Sequence, residues 1–191
     1  MEKIPQIYDV AKTLYDKLIK FTKKMYNFIG DDYEVSEDEI IIEVDHFVQA
    51  ILFRVALADN VLKDIELQFI KAIVEKDDFF SELHTYNLKD LTIEEKTHYI
   101  DKCNKVLSVV PKFVELSVLC DKKVDSMCEV ISPTYCQKVF DYLKRIANYL
   151  SFVDGRVYEV EDKMPKLVLD NVIKYYKKHY VKYAPNRKKI I

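Results

Sequence analysis

Apolar residues recur at three- and four-residue steps along most of the chain, which predicts one amphipathic helix after another. Between Pro5 and Ile29, the residues Ile7, Val10, Ala11, Leu14, Leu18, Phe21, Met25 and Phe28 form one stripe, with lysines on the other side. Pro5 suits a first helical turn, and Gly30 stands where a left-handed C-cap is expected. Ser36-Glu37-Asp38-Glu39 has capping-box spacing. It opens a helix to about Ala58 that carries Ile40, Val44, Phe47, Val48, Ile51, Leu52 and Val55 on one face. Another helix, about Asp64 to Glu75, carries Ile65, Phe69, Ile70, Ile73 and Val74. The pattern weakens from Lys76 to Leu91, where a short helix between Asp77 and Asn87 is expected. Thr92-Ile93-Glu94-Glu95 repeats the capping-box spacing ahead of Tyr99, Ile100, Cys103, Val106, Leu107 and Val110, and Pro111 ends that run. Phe113 to Leu119 reads as a short, well-buried helix. Ser132-Pro133 reads as an N-cap followed by proline at the first helical position, leading into Val139, Phe140, Leu143, Ile146, Ala147 and Leu150. A last helix ends near Tyr183, before Pro185, and a loose tail follows.

Composition sharpens this picture. The 191 residues contain only 2 glycines. Sandwiches and barrels need many tight turns with positive φ, so the fold class expected is all-α, a single globular helical domain of about seven helices. The glycine-rich loops that cradle phosphates are excluded on the same count. With 49% hydrophobic and 32% charged residues, a packed core is expected and not disorder. The organisation read from the chain is an N-terminal helical extension (1–35), a helical domain (36–183) and a basic tail (184–191).

Charge is unevenly placed within a net of −2. The stretch 31–45 holds Asp31, Asp32, Glu34, Glu37, Asp38, Glu39, Glu43 and Asp45 and no Lys or Arg. The stretch 163–191 is rich in Lys and Arg, with Asp170 its one acid. Two solvated faces account for this; so does a basic end that meets an acidic partner or the chain's own acidic segment. The cysteines, Cys103, Cys120, Cys128 and Cys136, lack CxxC spacing and sit among apolar neighbours, so they read as free core thiols of a cytoplasmic protein. No signal peptide is read at Met1 to Pro5, and no apolar run approaches the ~18 residues of a membrane span.

One motif occurs twice. Ala58-Asp59-Asn60-Val61-Leu62-Lys63-Asp64-Ile65-Glu66 and Val153-Asp154-Gly155-Arg156-Val157-Tyr158-Glu159-Val160-Glu161 share the same order of residue types. Each has Asp, then Asn or Gly, an aliphatic residue three places on, an acid at five and Glu at seven. Each closes an apolar helical run, so the pair reads as two helix-turn-helix corners. Asp59, Asp64 and Glu66 in one, and Asp154, Glu159 and Glu161 in the other, are the candidate metal ligands, because hard cations such as Ca²⁺ or Mg²⁺ want several converging carboxylate and carbonyl oxygens. One corner offers too few, so the two are expected to lie together and act as one site. Neither is an EF-hand: the twelfth loop position is Ile70 or Pro165, not Glu. Helix capping explains the same acids without any metal, since carboxylates at a helix start are favoured by its dipole.

The paired motif resembles that of TerB-like proteins, the helical domain named for tellurite resistance. Its motifs read roughly Asp-Gly-x-Ile-x-x-x-Glu. Asp59, Leu62 and Glu66 match the first, and Asp154, Gly155, Val157 and Glu161 the second. The resemblance covers about Glu39 to Lys178. It implies one all-α domain with its acidic corners together, binding of a divalent cation, and a role in stress-response or membrane-associated protein complexes instead of catalysis. Two departures are Asn60 in place of Gly and Pro165 inside the last helical run.

Two rival readings come from other residues. Glu43-Val44-Asp45-His46 and Glu95-Lys96-Thr97-His98 are both Glu-x-x-His, the pairing of di-iron carboxylate bundles and their oxidoreductase chemistry. At about 100° per residue, Glu43 and His46 lie round from the apolar stripe, so they are expected to be dispensable for folding. Tyr175-Tyr176-Lys177-Lys178-His179-Tyr180 mixes aromatic and basic residues as some nucleic-acid surfaces do, and equally as an amphipathic face with tyrosine rims does. His84 and His179 lack a Ser or Cys partner nearby in sequence, so nucleophilic catalysis has little support.

Overall fold

Every regular element among the described residues is helical, and none is a strand. The structure is a computed structural model that describes residues 3–30, 33–59, 62–74, 92–127, 134–153 and 159–183. Helices α1 (Lys3–Ile29), α2 (Glu37–Ala56), α3 (Asp64–Ile73), α4 (Ile93–Leu107), α5 (Lys112–Ser126), α6 (Tyr135–Leu150), α7 (Glu159–Val168) and α8 (Asp170–Tyr183) follow in order, with a short 3₁₀ turn, Leu57–Asp59, after α2. The all-α fold expected from the scarcity of glycine is therefore the fold found. Pro165 lies inside α7. That helix stops at Val168, and only Leu169 separates it from α8, so one expected helix is present as two pieces. Proline lacks the interior N–H and crowds the turn before it, so its effect falls on the N-terminal side of α7 and not on the break at Leu169. The short helix expected between Asp77 and Asn87 lies outside the described residues.

Helix α2 is the hub. Its residues Phe47, Val48, Gln49, Ala50, Ile51, Leu52 and Phe53 are buried in an unbroken run, so no side of this helix meets solvent there. A helix buried on every side, and apolar there but for Gln49, must be enclosed. It is: α1, α3, α4, α5, α6 and α7 all pack against it. Phe47 meets Phe113 of α5 edge to face, with centroids 5.7 Å apart. Helix α1, outside the segment that resembles TerB-like proteins, gives Ala11, Leu14, Leu18 and Met25 to the same core. Buried Asp45 of α2 accepts a short hydrogen bond from the Tyr15 hydroxyl of α1, which satisfies a carboxylate that would otherwise be costly inside.

Local capping follows the sequence at several ends. The Glu39 N–H donates to the Ser36 hydroxyl at 3.3 Å, and the Ser36 N–H donates to the Glu39 carboxylate at 3.0 Å. Thr92 and Glu95 make the same pair at 3.2 and 2.7 Å. Gly30 takes φ +81° and donates its N–H to Tyr26 O, as the left-handed cap requires. The start of α6 differs from expectation: its N-cap is Thr134, not Ser132, and Gln137 completes the box. Helix α5 also runs well past Leu119, to Ser126. Beyond Leu119 it still meets the core, since Cys120, Asp121 and Val124 are buried.

Other ends are closed by side chains from neighbouring helices. Asp121 of α5 accepts the Tyr135 N–H at 2.9 Å and the Cys136 N–H at 3.1 Å, in the first turn of α6. Glu43 of α2 accepts the Lys112 N–H that opens α5, and Tyr33 donates to the Lys112 carbonyl at 3.1 Å. Three C-terminal ends receive donors in the same way. The Lys12 ammonium donates to Ile73 O at 3.3 Å, the Lys123 ammonium to Phe28 O at 2.8 Å, and the Asn171 amide to Leu107 O at 2.8 Å.

Burial pushes the Asp121 and Glu43 carboxyls above the ordinary carboxylate range and outweighs the N–H groups that favour the charge. Between that ordinary range and the raised values the folded state holds more protons than the unfolded chain. The stabilisation from these two groups is therefore full at low pH and is lost as pH rises through their folded values. Asp121→Ala leaves two N–H groups without their acceptor and should cost about 1–3 kcal/mol in chemical denaturation. Glu43→Ala should cost about 0.5–2 kcal/mol as a lost cap. The difference in stability between the wild type and Asp121→Asn with Glu43→Gln should carry the pH slope just described; an unchanged midpoint or a slope of opposite sign contradicts the assignment.

Candidate functional site

The first corner runs from the 3₁₀ turn into α3. Asp59 ends that turn, Leu62, the aliphatic residue of the motif, is buried, and exposed Asp64 opens α3. Glu66 is not a surface ligand. Its side chain is 3% exposed, and its carboxylate accepts the Lys63 N–H at 2.8 Å, a capping contact. In the second corner Val153 is buried, Asp154 lies outside the described residues, and Glu159 and Glu161 fall in the first turn of α7. The 3₁₀ turn packs against α7, so the fold brings an element of each corner together. The side chains of Asp59, Glu159 and Glu161 lie outside the described part. Among the described residues no three His, Cys, Asp or Glu side chains converge as a metal-holding group.

The two Glu-x-x-His pairs are built into helix ends. Glu43 caps α5 from α2 and is half-buried, so it is a structural group and not the dispensable surface residue that its place round from the stripe predicts. Glu95 closes the capping box of α4 with Thr92, and those hydrogen bonds hold its carboxyl below the ordinary range. His98 is exposed, its ring edge-on to Tyr99 at 5.7 Å.

Among the described residues the cysteine thiols, and with them the Ser117 and Tyr176 hydroxyls, are sealed in the core. Cys103, Cys120 and Cys136 are free and buried, and Cys128 lies outside the described residues. Burial raises the Cys103 and Cys120 thiols to about 12, which leaves them protonated and inert. The Ser117 hydroxyl donates to Val114 O at 2.7 Å, lies 2.9 Å from the Tyr176 hydroxyl and meets the Cys136 thiol at 3.5 Å. This fully buried network joins α5, α6 and α8 as a polar cross-link.

The surface offers a different feature: a groove of about 550 Å³ along the seam of α1 and α6. Lys17 stands on the α1 wall, and Lys138, Lys144 and Arg145 stand on the α6 wall. Leu14, Phe140 and Tyr142 supply apolar lining. Asp141 is the one acid there and pairs with Arg145 at 3.6 Å. Exposed Lys17 and Lys144 make no ion pair among the described residues. Beneath the cations runs an aromatic seam. Tyr135 stacks against Phe21 at 5.5 Å and Phe28 at 5.8 Å, and Tyr142 meets Phe21 edge-on at 6.2 Å. The Lys138 ammonium sits 5.4 Å above Phe21, within cation–π range. A second hollow of about 240 Å³ shares Arg145 and is lined by Asn148, Tyr149 and Phe152.

The sequence conceals this groove because Lys138, Lys144 and Arg145 look like the solvated face of one amphipathic helix. The available signal was aromatic: Phe21, Tyr135 and Tyr142 stand at the edges of their stripes, where two helices meet. Compared with protein-family models, curated proteins and solved structures, the chain matches none. The likeness to TerB-like proteins rests on the two corner motifs.

Proposed function

We propose that this chain is a non-enzymatic interaction module of a reducing cytoplasm, and that its contact surface is the basic groove between α1 and α6. The carrying observation is that groove: four cations gathered on one seam of a chain whose net charge is −2. A local positive field on a net-negative molecule favours anionic partners at that place. The buried free thiols support the reducing compartment. No helix among the described residues is long and apolar enough to cross a membrane. Work in a membrane-associated complex of the stress-response kind, as the TerB-like corners imply, proceeds through protein contacts.

Packing of the 3₁₀ turn on α7 supports a second property, a divalent cation held between the corners. With one Glu66 oxygen engaged by the Lys63 N–H, the cation would draw on Asp59, Asp64, Asp154, Glu159 and Glu161 together with backbone carbonyls and water.

Two measurements test these readings. At pH 7 the protein should be retained by a cation exchanger despite its net negative charge, and Lys17→Glu with Lys144→Glu should abolish retention. Equal retention of that variant would place the anion-binding surface elsewhere. For the corners, Ca²⁺ or Mg²⁺ should raise the melting temperature, and Asp59→Asn and Asp154→Asn should each remove the rise while costing little stability without metal. A full response in either variant leaves the acids as helix caps alone.

A further inference from the structure

We infer that the α1/α6 groove docks an acidic amphipathic helix of a partner protein; this rests on the groove being the contact surface. Lys138 and Arg145 are seven residues apart on α6, about 10 Å along the axis or two helical turns. Carboxylates two turns apart on a helix laid along the groove match that span, and Lys17 faces them from the α1 wall. Cations on both walls select an anionic occupant.

The lining then selects its second property. Leu14, Phe140 and Tyr142 add apolar surface to the groove. At the Arg145 end the adjoining hollow presents Phe152, a large side chain left 49% exposed. An occupant that brings both carboxylates and apolar side chains satisfies both features. An amphipathic helix does so with acids on one edge and Leu or Phe beside them, the helix-in-groove mode.

The same geometry disfavours a nucleic acid. Single strands bind where ring faces are open for bases to stack. Here Tyr135 lies between Phe21 and Phe28, Tyr142 is turned edge-on to Phe21, and Lys138 covers Phe21. Asp141 interrupts the cations halfway along α6. A long polyanion leaving the groove also meets a chain of net charge −2, whereas the charges of a short helix end within it.

The test uses the full chain and a fluorescein-labelled synthetic peptide with Glu at every third or fourth position and Leu beside them. Controls are the same peptide with Glu→Gln, oligo-dT and vesicles containing phosphatidylserine. The acidic peptide should bind, weaken as salt rises, and bind in preference to all three controls. Lys17→Glu with Lys144→Glu, checked for helicity, should weaken binding about tenfold or more. Asp141→Asn removes the one opposing carboxylate and should tighten binding by roughly two- to fivefold; a groove with only a structural role would not show this gain. Tighter binding of oligo-dT or vesicles than of the acidic peptide, equal binding of the Glu→Gln peptide, or an unchanged affinity in the double variant overturns the inference. Failure of the wild type to bind any of these anions overturns the interaction surface as well, so the two failures are distinguishable.

Discussion

Each α-helix leaves orphan N–H groups at its start and orphan carbonyls at its end, and this chain has only 2 glycines to turn those ends back on themselves. That shortage shapes the structure. Gly30 closes α1 in the left-handed way, but Ile73 O, Leu107 O and Phe28 O are met by Lys12, Asn171 and Lys123 from other helices. At the starts of α5 and α6, Glu43 and Asp121 reach across in the same manner. A helix whose ends are held by its neighbours cannot shift without releasing those groups, so the cross-helix caps fix relative position as well as terminate helices. The arrangement surrounds α2, whose unbroken buried run demands enclosure.

This constraint also decides which chemical groups remain for function. Two of the carboxylates that look like metal ligands in the sequence are engaged in the fold, Glu43 at a helix start and Glu66 on the Lys63 N–H, and two other acids are held the same way, Asp121 at a helix start and Asp45 on the Tyr15 hydroxyl. The described thiols, Cys103, Cys120 and Cys136, lie in the interior. What α1 leaves open, by docking its apolar stripe on α5 and α6, is a seam with its own Lys17 on one wall and Lys138, Lys144 and Arg145 of α6 on the other. The groove is a consequence of how α1 is seated.

The features legible in the sequence are those with local causes. The 3.6-residue stripes and the boxes at Ser36-Glu39 and Thr92-Glu95 depend on residues three or four apart, and the structure contains them. Features with distant partners were not legible. Nothing near Glu43 announces that Lys112 is 69 positions away and waiting for an acceptor. Nothing near Asp121 shows its role either, because the N–H groups it accepts, those of Tyr135 and Cys136, belong to the next helix. The start of α6 was placed too early because Ser132-Pro133 has a good local signature, while Thr134-x-x-Gln137 has both halves of a box and Asp121 behind it. In the candidate site, the packing of one corner's turn on α7 agrees with the repeat, whereas the groove joins residues of α1 and α6 that no local pattern links.

Helix α1 gives its apolar stripe to the same core as α2, and the cross-helix caps couple the helices so that they should open together. Native-state hydrogen exchange at increasing denaturant resolves such openings. Amides of α1 between Leu14 and Met25 should merge with those of α2 between Phe47 and Val55 into a single cooperative opening at the global stability. If α1 exchanged through an opening of its own while α2 stayed protected, α1 would be an appended helix, and both the shared core and the groove built on it would fall.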